Sequence, residues 1–78
     1  MIKSLHTAEH IRLISWLKLN RESQGLTMRE LAALLDTTHS FVGKVEQGER
    51  RLDVIEFIKY CDALNLSPEE GLSTIKKS

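Results

Sequence analysis

Residues 28–47, MRELAALLDTTHSFVGKVEQ, decide the fold. Leu31, Leu34 and Leu35 recur at i, i+3 and i+4 with Ala32 beside them. That spacing gathers apolar side chains on one side of a helix and demands a core to receive them. Met28, Arg29, Glu30 and Ala33 fall on the other sides. Thr27 stands three residues before Glu30, the spacing at which a hydroxyl accepts the Glu30 N–H while the carboxylate reaches back to the Thr27 N–H. A helix therefore starts at Met28.

The apolar run breaks at Asp36-Thr37-Thr38, whose short side-chain oxygens compete for nearby backbone N–H groups and so favour turns and caps. With Thr38 as N-cap, a second helix occupies residues 38–47, Val42 and Val45 forming its inward pair and Phe41 its margin. His39, Ser40, Gly43, Lys44 and Gln47 are left outside. They make a low, polar, donor-rich ridge, suited to insertion into a groove rather than burial against protein. Two short helices around a three-residue corner are a helix-turn-helix.

These residues resemble the Cro and phage-repressor (XRE) helix-turn-helix regulators. The marks are Leu31-Ala32 in the first helix, Val42 and Val45 in the second, and then acid-x-Gly, here Glu46-Gln47-Gly48. The likeness reaches upstream to Leu17, Arg21 and Gly25-Leu26-Thr27, and downstream to Leu64-Asn65-Leu66-Ser67-Pro68-Glu69-Glu70, roughly residues 13–72. It implies an all-α fold: a compact bundle of about five helices, a lambda-repressor-like DNA-binding domain. It also implies a homodimer on double-stranded DNA, with helix 38–47 in the major groove of an inverted-repeat operator, and repression as the outcome. By the same resemblance Glu46 is buried in an ion pair with Arg21, locking the first long helix to the end of the reading helix. Three positions depart from the family pattern. Met28 stands where many members carry a Gln that fixes the first helix to a phosphate, and Asp36 and Asn65 stand where Gly is usual. Asp and Asn tolerate left-handed backbone better than other non-glycine residues, so both helix ends survive.

The expected DNA-facing set follows. His39 reaches a base acceptor or a phosphate, Ser40 either a base or a phosphate, Lys44 a guanine edge or a phosphate, and Gln47 a phosphate near the helix end. Gly43 allows close approach, at about 1 kcal/mol relative to Ala in a helix interior; drift explains it equally well. Thr27 and the N–H groups behind it offer an anion seat at a helix N-terminus. Met28 and Thr38, which open the two helices, belong to the same set. Arg50 and Arg51, in the charged loop after Gly48, are expected at phosphates.

The chain has 78 residues, enough for one modest core, so residues 1–78 read as one DNA-binding domain with 1–6 as an N-terminal arm. Composition is 41% hydrophobic and 28% charged with few Gly or Pro, the balance of a folded helical protein. Cys61, alone, makes no internal disulfide and lies on an inward stripe, which suits a buried structural thiol and a cytoplasmic protein. Lys3, His6, Glu9, His10 and Arg12 interrupt the N-terminal region, so no signal peptide or membrane span is expected. Net charge is formally zero, which weighs against nucleic acid. Its distribution is uneven: residues 1–29 carry five Lys or Arg against two acids, residues 30–51 three against four, and residues 52–78 three against five. Weak non-specific binding and a need for a dimer are the expectation.

The first helix is expected over 7–24, closing on Gly25. Leu13, Ile14 and Leu17 share an arc with Arg21, while Ile11, Trp16 and Leu19 point elsewhere. Trp16 and Leu19 are thus left either to pack under the arm with Ile2 and Leu5 or to meet a partner chain. Asp53 and Glu56 form a second capping box, and Val54, Phe57, Ile58, Cys61 and Leu64 keep core spacing. Ile55 and Tyr60 lie off that stripe, either extending the core or edging an interface. Ser67-Pro68 opens a last helix, whose Leu72 and Ile75 give one apolar edge, a further interface candidate, and Lys76-Lys77 close it.

Enzyme readings fare poorly. His6 and His10 sit at i, i+4 but lack a third metal ligand, and no phosphate loop, serine elbow or paired carboxylate is found. No cofactor is expected. The competing reading is an antitoxin or adaptor that holds a partner protein on the same scaffold, favoured by neutral charge and the surplus apolar residues of the first helix.

Overall fold

Caps set the helix starts. The computed structural model describes residues 7–76, which form α1 (Ala8–Ser23), α2 (Met28–Leu35), α3 (His39–Glu46), α4 (Val54–Leu64) and α5 (Pro68–Lys76), with no strand among the described residues. Thr7, Thr27, Thr38 and Asp53 each accept the backbone N–H three residues on, at 3.2, 3.1, 3.1 and 2.7 Å. At Thr27 and Asp53 the reciprocal bond is present too, from Thr27 N–H to Glu30 at 2.8 Å and from Asp53 N–H to Glu56 at 2.9 Å. The far ends of α2 and α4 turn through left-handed Asp36 and Asn65, at φ 57° and 60°.

Leu17, Leu31, Val42, Val45, Tyr60, Cys61 and Leu64 are the fully buried centre. α1 lies across α3 and α5, and α2 packs on α3 and α4. Two helices are rotated from the expected phase. In α2 the buried side is Leu31 and Ala32 with Leu35 half-buried, and Leu34 is exposed. Leu34 sits about a third of a turn from the centre of that face, so the small Ala32 takes the core position expected of a leucine. In α4 the stripe is Phe57, Tyr60, Cys61 and Leu64, and Val54 and Ile58, expected inside, are exposed. The period is the expected one; the phase is set by Tyr60, which lies in the core and so cannot edge an interface.

α5 is held by contacts that its apolar content does not announce. Gly71 is buried where a Cβ would lie 2.6 Å from Trp16 Cζ3 and 2.9 Å from Phe57 Cζ, so only glycine lets the helix backbone come this close to both rings. Arg12 donates to the Thr74 and Ile75 carbonyls at 2.6 and 3.0 Å, capping the end of α5. Trp16 is therefore half-buried against α5, while Leu19 and Ile11 are exposed. Ile75 is half-buried and lines a cavity with His10, Leu13 and Ile14, whereas Leu72 is exposed. The expected arm, with Ile2, Leu5 and His6, lies outside the described residues, as does Lys77. At the other end of α1, Gln24 donates to the Leu64 carbonyl at 2.7 Å and ties α1 to the end of α4.

Candidate nucleic-acid interface

Val42 and Val45, buried against the core, fix the roll of α3. That roll leaves Thr38, His39, Ser40, Lys44 and Gln47 exposed and Gly43 half-buried, so the expected ridge faces away from the core. After Gln47 the chain turns on Gly48, buried at φ 79°, while the N–H groups of Gly48 and Glu49 close the helix end on Val45 and Lys44 carbonyls at 3.1 and 2.9 Å.

Behind the ridge, Arg21 donates twice to Glu46, Nε to Oε2 at 2.6 Å and Nη2 to Oε1 at 3.0 Å, and Nη1 donates to the Leu26 carbonyl at 2.6 Å. Arg21 is buried, and only 2% of the Glu46 side chain is exposed. The hydrogen bonds to Glu46 raise the Arg21 pKa above its ordinary value despite the opposing effect of burial, so the guanidinium stays charged. One side chain thus joins α1, the approach to α2 and the last residue of α3.

At the start of α2 the Thr27 hydroxyl and the Thr27 and Glu30 N–H groups are used by the capping box, and the first-turn N–H groups of Met28 and Arg29 remain directed out of the helix end. The Met28 side chain lies beside Gly43 of the ridge. It is half-buried and packed on the core, its sulfur the nearest atom, at 3.9 Å, to where a Cβ on Gly43 would lie. It bridges α2 to α3 as an apolar spacer, with no donor for a phosphate.

The loop arginines part company. Arg50, expected at a phosphate, makes two bonds to Glu56 at 3.1 and 2.7 Å, donates to the Arg51 carbonyl, and lies over the Phe41 ring at 4.7 Å from its centroid. Its charge is matched inside the fold, and it staples the start of α4 to the start of α3. Arg50 and the Asp53 N–H together hold Glu56 below the usual carboxylate pKa. Arg51 is exposed. Phe41 thus seats Arg50, while Arg12 and Gln24 tie α1 to the ends of α5 and α4. No local signal marks them, because each acts on a residue distant in sequence or on a backbone carbonyl.

Cys61 is buried and its thiol pKa is pushed up to about 11, first by burial and then by Asp62. Among the described residues no group of three or more His, Cys, Asp or Glu could hold a metal ion, and no helix is long and apolar enough to cross a membrane.

Comparison with known proteins agrees with this geometry. A helix-turn-helix family model matches residues 17–71. An XRE-family like protein from Pseudomonas syringae pv. tomato is 42% identical, with 88% of this chain and 84% of that one covered and a TM-score of 0.81. The restriction-modification controller protein C.AhdI from Aeromonas hydrophila is 31% identical over 83% of this chain and 98% of its own, with a TM-score of 0.77. The clp gene regulator ClgR from C. glutamicum, 23% identical over 90% and 91%, shares the fold at a TM-score of 0.79. No curated protein matches the sequence. With the family model covering more than half its length, the chain belongs to the XRE-type helix-turn-helix family.

Proposed function

We propose that this DNA-binding regulator of transcription is a homodimeric repressor that reads an inverted repeat, with two copies of α3 in successive major grooves ~34 Å apart. The observation that supports this best is the ridge of α3: His39, Ser40, Lys44 and Gln47 exposed over a buried Val42 and Val45. His39 and Lys44 supply donors to base edges, and Ser40, Gln47 and Thr38 supply shorter contacts to bases or phosphates. Phosphate contacts come from Arg51 and from the α2 N-terminus beside Thr27, where the Met28 and Arg29 N–H groups meet an anion along the helix dipole. Arg50 is left to the fold.

A relative named as a restriction-modification controller protein, 31% identical, is consistent with control of transcription. The rival reading, a scaffold that holds a partner protein, draws on the formal net charge of zero. Binding of the full chain to duplex DNA from upstream of its own gene, followed by fluorescence anisotropy over a salt series, separates the two. For a DNA reader the logarithm of the affinity falls linearly with the logarithm of salt concentration, with a slope near −0.9 per phosphate contacted. His39→Ala with Lys44→Ala then abolishes sequence preference while melting as the parent does. Affinity flat in salt, or preference retained in that double variant, overturns the proposal.

A further inference from the structure

We propose that the outward face of α4 is the seam on which two copies of this chain pair. Three large aliphatic side chains stand on it at i, i+1 and i+4: Val54, Ile55 and Ile58, 75%, 64% and 40% exposed. No other helix among the described residues exposes so many, and Leu34 of α2, 59% exposed, shares a shallow depression with Lys59 and Asp62 of the same face. Contiguous apolar surface of this kind, rimmed by polar residues, marks an interaction site.

The charges on that face argue for a second copy as the occupant. Lys59 and Asp62 lie one turn apart, carry opposite signs, and neither takes part in an ion pair within the described residues. A patch with one of each sign complements itself under a two-fold axis, as an isologous interface requires. An axis near Ile58 runs α4 antiparallel to its copy, with Ile58 against Ile58. At 1.5 Å per residue each Lys59, on its long stem, then comes within reach of the partner's Asp62. An acidic or a basic partner protein would satisfy only half of this rim. α4 also starts directly behind the loop that leaves α3, so pairing here fixes the spacing of the two reading helices.

This inference rests on the homodimer reading of the proposed function. Sedimentation velocity of the full chain over a concentration series tests it. The parent shifts from monomer to dimer with concentration, while Ile58→Glu, with unchanged helical circular dichroism and melting, stays monomeric over the same series. Lys59→Asp weakens the dimer at least tenfold, and Lys59→Asp combined with Asp62→Lys recovers it, a rescue that only pairing with an identical chain produces. A parent dimer that Ile58→Glu and Lys59→Asp leave intact overturns this face and spares the two-fold reading of DNA. A parent that stays monomeric and binds its operator as single copies overturns both.

Discussion

Arg21 and Glu46 are 25 positions apart and meet in a two-pronged buried ion pair. Removing one partner strands the other in the core. Arg21→Ala is expected to cost roughly 3 to 5 kcal/mol, because Glu46 would keep an uncompensated charge away from water. Replacing both residues with aliphatics of similar length removes both desolvated charges and is expected to recover part of that loss. Urea unfolding of the parent and the two variants checks this. A normal melting temperature for Arg21→Ala would show that the pair contributes nothing to folding.

Gly71 predicts the opposite of its helix propensity. In an open helix Gly→Ala gains about 1 kcal/mol. Here the new methyl carbon meets two aromatic rings at 2.6 and 2.9 Å, and neither ring is the loose end of a flexible side chain. Overpacking of this kind costs about 1 to 3 kcal/mol, so Gly71→Ala is expected to be destabilising on balance. Trp16, the single tryptophan, reports it directly. Its emission should shift to the red in Gly71→Ala and not in Gly43→Ala, whose new methyl meets only the Met28 sulfur, at 3.9 Å.

What was legible in the chain follows the range of the interaction. Helix starts could be read because a cap and its N–H lie three residues apart, as at Thr27 and Asp53. The face of α3 could be read because Val42 and Val45 alone fix its roll. The phases of α2 and α4 could not. Leu34 looks more buried than Ala32, and Val54 and Ile58 more buried than Tyr60, yet volume and neighbours chose otherwise. The pairing of Arg50 leaves no mark in the sequence, because Glu56 and Phe41 flank it only in the folded chain. The docking of α5 on a glycine left no trace, since a glycine does not announce what it lets come near.

The Arg50 staple gives stability a pH dependence. The folded state holds the Glu56 pKa below its ordinary value of 4.5, so the ionised form is favoured by folding. That stabilisation is fully present above about pH 4.5 and is lost as pH falls through the depressed folded value. Arg50→Met removes the main cause of the shift. Its melting temperature is therefore expected to fall less steeply than the parent's on acidification below pH 4.5. Parallel curves for the two proteins would mean that the pair is not formed in solution.

Tyr60 is 1% exposed, and its hydroxyl finds no hydrogen-bond partner among the described residues. Burial pushes its pKa far above the ordinary 10, with Glu46 adding to the effect and Arg21 opposing it. The ring fills the core and the oxygen only costs desolvation, so Tyr60→Phe is expected to leave stability unchanged or raise it by about 1 kcal/mol. A loss of more than about 1 kcal/mol in denaturant unfolding would instead reveal an ordered water as the missing partner.

Gly43 separates a requirement of the fold from one of the site. A Cβ there would meet only the Met28 sulfur, at 3.9 Å, which is ordinary contact, so the free protein has no steric need of glycine. Gly43→Ala is accordingly expected to stabilise the chain by roughly 1 kcal/mol through helix propensity alone. If the ridge enters a major groove closely enough for Gly43 to face a base or a phosphate, the same methyl must stand between helix and DNA. Affinity for the operator should then drop about tenfold or more, a penalty of about 1.4 kcal/mol, while the melting temperature rises. A stabilised variant with undiminished operator affinity would place Gly43 away from the duplex and remove the case for close approach at that point of α3.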